Sequence, residues 1–486
     1  MNNKTNNSFE ADMTSTLIDS EAQLNSAFAR LKSLTRTKPY PSEEARRQLL
    51  LSLKTTLLEY EVPLLDALQQ DFGCRAHAES RLIELVPLLG EIKHTLKHLH
   101  KWMKPSRRSL HMTSWPASGK VFYQPKGLVG VIAPWNYPVL LSLGPIVGAI
   151  AAGNRVMLKV SEFCPATNKV LRQILQTACG DEWAEVIEGE ADIANQFSQL
   201  AFDHLLFTGS TNVGRIVMKN AAQHLTPVTL ELGGKSPLLI TPSADLADTA
   251  KKLVFAKLIN AGQTCVAPDY VLCHESQKAE LIEHLKKVLA DQYPQGIASP
   301  DYTSIINDRQ LSRLQGYLEE AQASGVQCDN LLPQGPDTLE GKLALHVLHE
   351  AEEKLAVMQD EIFGPILPIQ TYQTIDEGFQ YIQQRPRPLA MYLFTQHKED
   401  EQRCEQSIAS GGLVINHALI HVAQSDLPFG GVGDSGMGAY HAEEGFRTFS
   451  HNKAVLRKSG VNLVALIAPP YDRWVHRIVA KFWPHL

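Results

Sequence analysis

The chain has 486 residues, 44% of them hydrophobic, too many for one compact core, so two or three domains are expected. Lys and Arg number 46 against 52 Asp and Glu, and the resulting charge of -6 lacks the broad positive field that attracts nucleic acid or an anionic membrane. The seven cysteines are scattered, with no Cys-x-x-Cys and no Cys/His ligand cluster, which argues against a metal site or a disulfide framework and fits a reduced, cytoplasmic setting.

From the N-terminus, Met1 to Ser15 is rich in Asn and Thr without an apolar run, and reads as a disordered start rather than a signal peptide. Leu17 to Leu99 reads as helices. One of them, Glu43 to Tyr60, has Ser42 as N-cap and leucines at 49, 50, 53, 57 and 58 on one face. The basic run Lys104 to Arg108 carries no interleaved aromatics and reads as solvated loop. Between Trp115 and Ile132 the period changes: Val121-Phe122-Tyr123 and Leu128 to Ile132 flank Pro125-Lys126-Gly127, the pattern of a hairpin. Tyr137 to Asn154 holds 18 uncharged residues, but Pro138, Gly144, Pro145, Gly148 and Gly153 interrupt it, which predicts a helix buried against a sheet instead of a membrane span.

Further on, strands alternate with helices: Arg155 to Lys159, Ala166 to Ala178, His204 to Phe207, Asn212 to Ala222. That alternation predicts a parallel, helix-covered sheet. A second alternating series runs from Leu238 to Asn416, with a helix at Lys278 to Leu289 and strands at Met391 to Thr395 and Gly412 to Ile415. Phe429 to Gly438 is a Gly-rich loop. The tail has an apolar run, Val461 to Ala468, and then Trp474, Val475, Ile478, Val479, Phe482 and Trp483 at amphipathic-helix spacing. It is too short to span a membrane; capping a groove, packing on a partner and touching a membrane surface all remain open for it.

Several short segments carry candidate chemistry. In Phe207 to Gly214 a strand turns at Gly209 and opens a helix through Ser210, a place where unpaired N–H groups attract a pyrophosphate, although the Gly-x4-Gly spacing is as consistent with a plain turn. Lys159 and Glu162 follow the carboxyl end of a strand, where open α/β sheets bind ligands; a surface ion pair explains them equally well. Cys265 lies in the Gly-containing segment Asn260 to Pro268, better placed for chemistry than a cysteine on an apolar helix face. Glu231 precedes two glycines, Asn136 sits in the rigid turn Ala133 to Pro138, and Glu361 and Phe363 sit in Asp360 to Pro365. Each of these, taken singly, is also an ordinary surface or turn residue.

Together these segments resemble the signature blocks of the aldehyde dehydrogenase superfamily. The form Gln263 to Tyr270, the ending Pro428 to Gly438 and Phe446 to His451 resemble its class-3-like branch, which includes coniferyl, fatty and aromatic aldehyde dehydrogenases. The resemblance spans Leu17 to Leu456. It implies an α/β fold: a Rossmann-like NAD-binding domain (17–112 and 133–229), an α/β catalytic domain (230–424), a small β oligomerisation element (113–132 and 425–458) and a C-terminal tail (459–486). It further implies NAD as cofactor, with NADP possible, and a homodimer. Cys265 is then the nucleophile, Glu231 the general base, and Asn136 with the Cys265 N–H the oxyanion hole. Lys159 and Glu162 are implied adenosine-ribose contacts, Glu361 and Phe363 the nicotinamide-ribose clamp, and Gly209, Ser210 and Gly214 the close backbone approach. By their place in the blocks, Tyr137, Thr264, Leu419, Phe429 and His441 line an apolar pocket, which implies a hydrophobic aldehyde, aromatic or medium-chain aliphatic.

Two positions depart from the class-3-like pattern. Ala442 follows Tyr440-His441 where glycine is common, and Asp434 stands where a small neutral residue or proline is common. The tail, Gly460 to Leu486, is similar to C-terminal extensions that anchor or gate in some relatives, but Asp472, Arg473, Arg477 and Lys481 argue against a spanning anchor. Two other reactions are open to a reactive cysteine. CoA-acylating chemistry needs no base such as Glu231. A cofactor-independent thiol hydrolase would want a Cys–His pair, for which His441 and His417 are the candidates.

Overall fold

The computed structural model describes residues 19–111, 114, 116–332, 335–458, 460 and 468–482. The expected disordered start, Trp115, residues 461–467 of the apolar run, and Trp483 therefore lie outside the described residues.

Among the described residues, five helices and a π turn precede the first long strand: Glu21–Thr37, Glu43–Glu59, Glu61–Phe72, His77–Ser80, Arg81–Leu85 and Val86–Met103. Ser42 caps the second by accepting from the Ala45 N–H, and Leu50, Leu53 and Leu57 are buried along one face, whereas Leu58, expected on that face, is exposed. A six-stranded sheet follows, in the order Gly436–Met437, Val228–Leu232, His204–Gly209, Leu128–Ile132, Arg155–Lys159, Ala184–Ile187. All but the short edge strand Gly436–Met437 run parallel. Chain order reverses at Leu128–Ile132, which has the next strand on one side and a later one on the other. Such a switch point opens a crevice beyond the carboxyl ends of the strands. Ile132, Lys159, Gly209 and Leu232 end their strands on that side.

The uncharged stretch forms the helix Leu140–Ala152, and every residue after Leu140 is buried. Pro145 is tolerated within it, and Gly153 ends it at φ 93, a backbone a side chain rarely adopts. A Cβ there would also come within 2.7 Å of the Arg46 guanidinium. The start of this helix is held by Glu84, which accepts the N–H groups of Val139 (2.7 Å) and Leu140 (3.0 Å). Glu84 pairs in turn with Arg75 at 2.8 Å, both side chains fully buried.

The hairpin read from Val121 to Ile132 does not form. Ala117–Pro125 pairs antiparallel with Ser106–Arg108 and Ser450–Lys458 in a separate three-stranded sheet, whereas Leu128–Ile132 joins the parallel sheet. Local sequence could not reveal this. The five residues of Leu128–Ile132 are all buried, which suits a strand covered on both faces, while the Ala117–Pro125 strand is half-exposed and alternates.

The second series builds a seven-stranded sheet: Cys328–Asn330, His346–His349, Ile366–Tyr372, Tyr270–His274, Pro237–Ile240, Ala390–Phe394, Gly412–Ile415. Its strands are parallel except Cys328–Asn330. Helices Leu246–Leu258 and Lys278–Gln292 accompany it. The tail contains the helix Trp474–Phe482, on which Trp474, Ile478, Val479 and Phe482 are exposed. Among the described residues no helix is long and apolar enough to cross a membrane, and no group of His, Cys, Asp or Glu could hold a metal ion.

Candidate active site

A cleft of about 1230 Å³, open mouth included, brings Cys265, Glu231, Tyr137, Thr264, Leu419, Phe429 and His441 to one wall system. Cys265 owes its place to the chain just before it. Helix Leu246–Leu258 stops, and Asn260 and Ala261 both take φ 51, a left-handed conformation that costs non-glycine residues energy. Gly262 (φ 76) completes the reversal, and no larger residue fits, because a Cβ would lie 2.6 Å from the Gly364 carbonyl oxygen. Burial, with Glu361 and then Glu231 nearby, pushes the Cys265 thiol up to about 12, while the N–H groups of Cys265 and Val266 pull the other way. The thiol is therefore protonated at neutral pH in this state. Its alkylation by iodoacetamide, followed by mass spectrometry at Cys265 without cofactor, should rise about tenfold per pH unit from 7 to 9. A flat profile would contradict the raised value.

Glu231 lies in the strand Val228–Leu232, 3% exposed, and neither carboxyl oxygen has a partner. Burial raises it well above the usual carboxyl range. Asn136 does not line the cleft. It is buried behind it, with Nδ2 donating to the Gln263 carbonyl at 3.1 Å, two residues before Cys265. Tyr137 and Thr264 share a hydroxyl–hydroxyl hydrogen bond, and the Tyr137 ring lies 5.4 Å from the Arg75 guanidinium. The buried Arg75–Glu84 pair thus orients Tyr137 as well as the helix that follows it.

The far wall is aromatic. Phe429 stacks on His441 with centroids 5.2 Å apart, and Tyr440 meets both rings edge-on. Burial, with His421 beside it, pushes His441 down to about 4, so it is neutral at physiological pH. Among the described residues no histidine hydrogen-bonds Cys265, and His417 instead bonds within its own turn to Ala418. That leaves the thiol hydrolase without its pair.

The other candidates gather at the carboxyl ends of the parallel sheet. Lys159 is 2% exposed and donates to the Val160 carbonyl; burial lowers its pKa, opposed by Glu162 and Glu188. Glu162 itself is exposed. Ser210 caps the helix Thr211–Ala222 by accepting the Val213 N–H. Gly209 and Gly214 are packed so closely that a Cβ on either would meet Phe207 or Leu232 at 2.6 Å. Glu361 reaches back under the Glu231 loop: it accepts the Gly234 N–H, and a Cβ on Gly233 would collide with its carboxyl. Burial, then the charge of Asp269, pushes Glu361 up to about 8, and its Oε1 is buried without a partner. An orphaned buried oxygen of this kind suits a ribose hydroxyl. Phe363 takes φ 51 and meets Trp135 edge-on at 5.3 Å.

Sequence reasoning missed three contributors. Lys235, inside a segment read only for Glu231, pairs with Asp269 and donates to the carbonyls of Val357 (2.9 Å) and Asp360 (2.8 Å), while Asp269 accepts the Ile362 N–H. Together they tie down the Glu361–Phe363 segment. Glu91 also lines the cleft, pushed up to about 8 by burial and opposed by the Ala442 N–H it accepts. It lies on an amphipathic helix where a charged residue reads as solvent-facing, so no local signal marked it. Tyr440 is the third, named in the sequence only as the neighbour of His441 in the family pattern. Of the departures from the family pattern, Ala442 adopts φ 43, the region glycine favours, and Asp434 pairs with Arg215 at 3.1 Å on the surface.

A switch-point crevice at one parallel sheet, abutting a second α/β unit with a cysteine and a buried carboxyl in one cleft, is the architecture of an aldehyde-oxidising dehydrogenase. The chain belongs to the aldehyde dehydrogenase family, whose pattern matches residues 11–455, and it is an oxidoreductase acting on aldehydes. It is 45% identical over 461 residues to a probable coniferyl aldehyde dehydrogenase of Pseudomonas aeruginosa, covering 95% of this chain and 96% of the relative. In structure it is similar to a substrate-bound state of AldH from Staphylococcus aureus (TM-score 0.89, 38% identity, 94% of this chain and 99% of that one). It is also similar to a Mycobacterium tuberculosis aldehyde dehydrogenase complexed with NAD+ (TM-score 0.82, 25% identity, 92% of each chain).

Proposed function

We propose that this enzyme oxidises a hydrophobic aldehyde, of the aromatic coniferyl type or a medium-chain aliphatic one, to its carboxylic acid, with Cys265 as nucleophile. The observation that carries the reading is the shared cleft of Cys265 and the unpartnered Glu231. The Cys265 thiol gives up its proton to water at the cleft mouth, and the thiolate sulfur so formed bonds to the aldehyde carbon. The Cys265 N–H binds the oxygen as it becomes anionic, and the second Asn136 amide hydrogen would reach it from behind the cleft wall, about 3 kcal/mol per donor. The carbon–oxygen double bond re-forms as hydride leaves the carbon, giving a thioester on Cys265. When bound, the oxidised nicotinamide supplies the hydride acceptor. Glu231 takes a proton from water, whose oxygen attacks the thioester; the acid departs and the Cys265 sulfur leaves as thiolate. A base retained at 231 favours water over a CoA thiol as acyl acceptor.

For the cofactor, Lys159 and Glu162 would hold the adenosine ribose, Gly209, Ser210 and Gly214 the pyrophosphate, and Glu361 with Phe363 the nicotinamide ribose. NAD is preferred over NADP, because Glu162 repels a 2′-phosphate. The NAD+ complex of the M. tuberculosis relative supports this choice. Residues 17–112 and 133–229 would form the cofactor domain and 230–424 the catalytic domain. The strand Ser450–Lys458, largely exposed and paired on one side with Ala117–Pro125, would join two copies in a homodimer. Seven free cysteines suit the cytoplasm. Substrate class rests on the aromatic wall of Phe429, Tyr440 and His441 and on the similarity to the probable coniferyl aldehyde dehydrogenase of P. aeruginosa.

The test is NADH absorbance with NAD+ and a panel of hydroxycinnamaldehydes, benzaldehydes and straight-chain aldehydes. The expected result is highest kcat/KM with a hydroxycinnamaldehyde. No absorbance with any aldehyde would sink the reading, and a requirement for CoA would hand the acyl step to a thiol.

A further inference from the structure

The Asn136 amide has to be held rigidly if it is to bind a developing oxyanion, yet it sits in an irregular turn. What holds it is a closed amide network behind the cleft. Asn136 Nδ2 donates to the Gln263 carbonyl (3.1 Å), and Asn260 Nδ2 donates to that same carbonyl (3.1 Å) and to the Asn136 carbonyl (3.0 Å). Gln263 Nε2 donates to the carbonyls of Asn260 and Ser304, each at 3.0 Å, and its Oε1 accepts the Ile306 N–H at 3.0 Å. The Asn260 N–H donates to Glu79 Oε1 at 2.6 Å. Asn260 and Gln263 have no exposed surface, and Asn136 is 3% exposed.

This network is costly. Asn260 and Ala261 are held at φ 51, a left-handed backbone that glycine adopts more readily than either, and Asn260 Oδ1 is buried without a partner. A loop that merely connected a helix to Cys265 could use glycine at 260 and avoid both penalties. The gain is directional. A planar amide nitrogen carries two hydrogens, so fixing one on the Gln263 carbonyl fixes where the other points. Asn260 holds both the carbonyl that receives the first hydrogen and the backbone from which the amide projects.

We propose that Asn260 and Gln263 are positioning residues that clamp the Asn136 amide and aim its second hydrogen at the substrate oxygen beside Cys265. This rests on the aldehyde-oxidising reading above. The clamp acts only through Asn136, so its energetic contribution vanishes when the Asn136 amide is gone.

The test is a double-mutant cycle of Asn136→Ala with Asn260→Gly. Glycine suits the left-handed backbone, so the loop retains its path while both clamp donors are lost. Asn260→Gly is expected to lower kcat about 30-fold, part of the ~10²–10³-fold loss typical of a whole oxyanion donor, with KM within about threefold. Cys265 alkylation by iodoacetamide should stay within about twofold of the parent protein. The double variant should be no slower than Asn136→Ala alone. Losses that multiply in the double variant, alkylation that falls in parallel with kcat, or full activity in Asn260→Gly would each overturn the proposal. Gln263→Met run through the same cycle gives an independent reading, and stands in if the glycine variant does not fold. Absence of NADH formation by the unsubstituted enzyme would instead strike the reading beneath it.

Discussion

Cys265→Ala should reduce aldehyde-dependent NADH formation by about 10⁴-fold or more, the scale on which removal of a covalent nucleophile acts. The cleft leaves no substitute. Of the seven cysteines, Cys265 alone lines it, and Cys164, Cys179, Cys273 and Cys404 are buried elsewhere. Alanine removes one sulfur from a partly buried position and leaves the Asn260–Gly262 reversal untouched, so the fold and the NAD affinity should survive. Equilibrium binding of NAD+ within about threefold of the parent, together with the lost turnover, is the expected pair of results. Retained turnover would remove Cys265 from the mechanism; loss of NAD binding as well would mean that the substitution had disturbed the crevice.

Glu231→Gln should separate the two halves of the reaction. The amide fills the same volume but cannot take a proton, and general-base removal costs about 10²–10⁴-fold. Thioester formation precedes water attack, so rapid mixing should show a burst of NADH up to one per active site, followed by a steady rate lower by that factor. In the parent enzyme the base must be ionised to act. Burial holds Glu231 protonated well above the ordinary carboxyl range, so the deacylation rate should climb with pH through that raised value and the climb should vanish in the variant. A glutamine variant that turns over at the parental rate would show that water is activated by another group. Glu91, also in the cleft and also raised by burial, is the first to examine in that case.

Much of the helical and strand content was legible because burial imposes period. Arg155–Lys159 and Gly412–Ile415 fall where alternation of strands and helices put them, and the uncharged stretch became a buried helix because its small residues let neighbouring helices and the parallel sheet approach closely. The misread hairpin shows the limit. Two adjacent strands with a Pro-Lys-Gly turn look the same whether they pair with each other or with other strands; here Ala117–Pro125 pairs with Ser106–Arg108 and the distant Ser450–Lys458, and Leu128–Ile132 with Arg155–Lys159 and His204–Gly209.

The site divides in the same way. Sequence by itself determined the residue types and their local settings: a cysteine after a glycine reversal, a carboxyl before two glycines, a strand that ends at a helix-capping serine. These are properties of short segments, fixed by backbone sterics and by the family's motifs. Only the tertiary structure decided that Cys265 and Glu231 face one cleft, that Glu231 and Glu361 are desolvated, and that Glu91, Lys235 and Asp269 belong with them. Desolvation and distance depend on which segments pack together, and that is settled by long-range burial, which no local window of the chain contains.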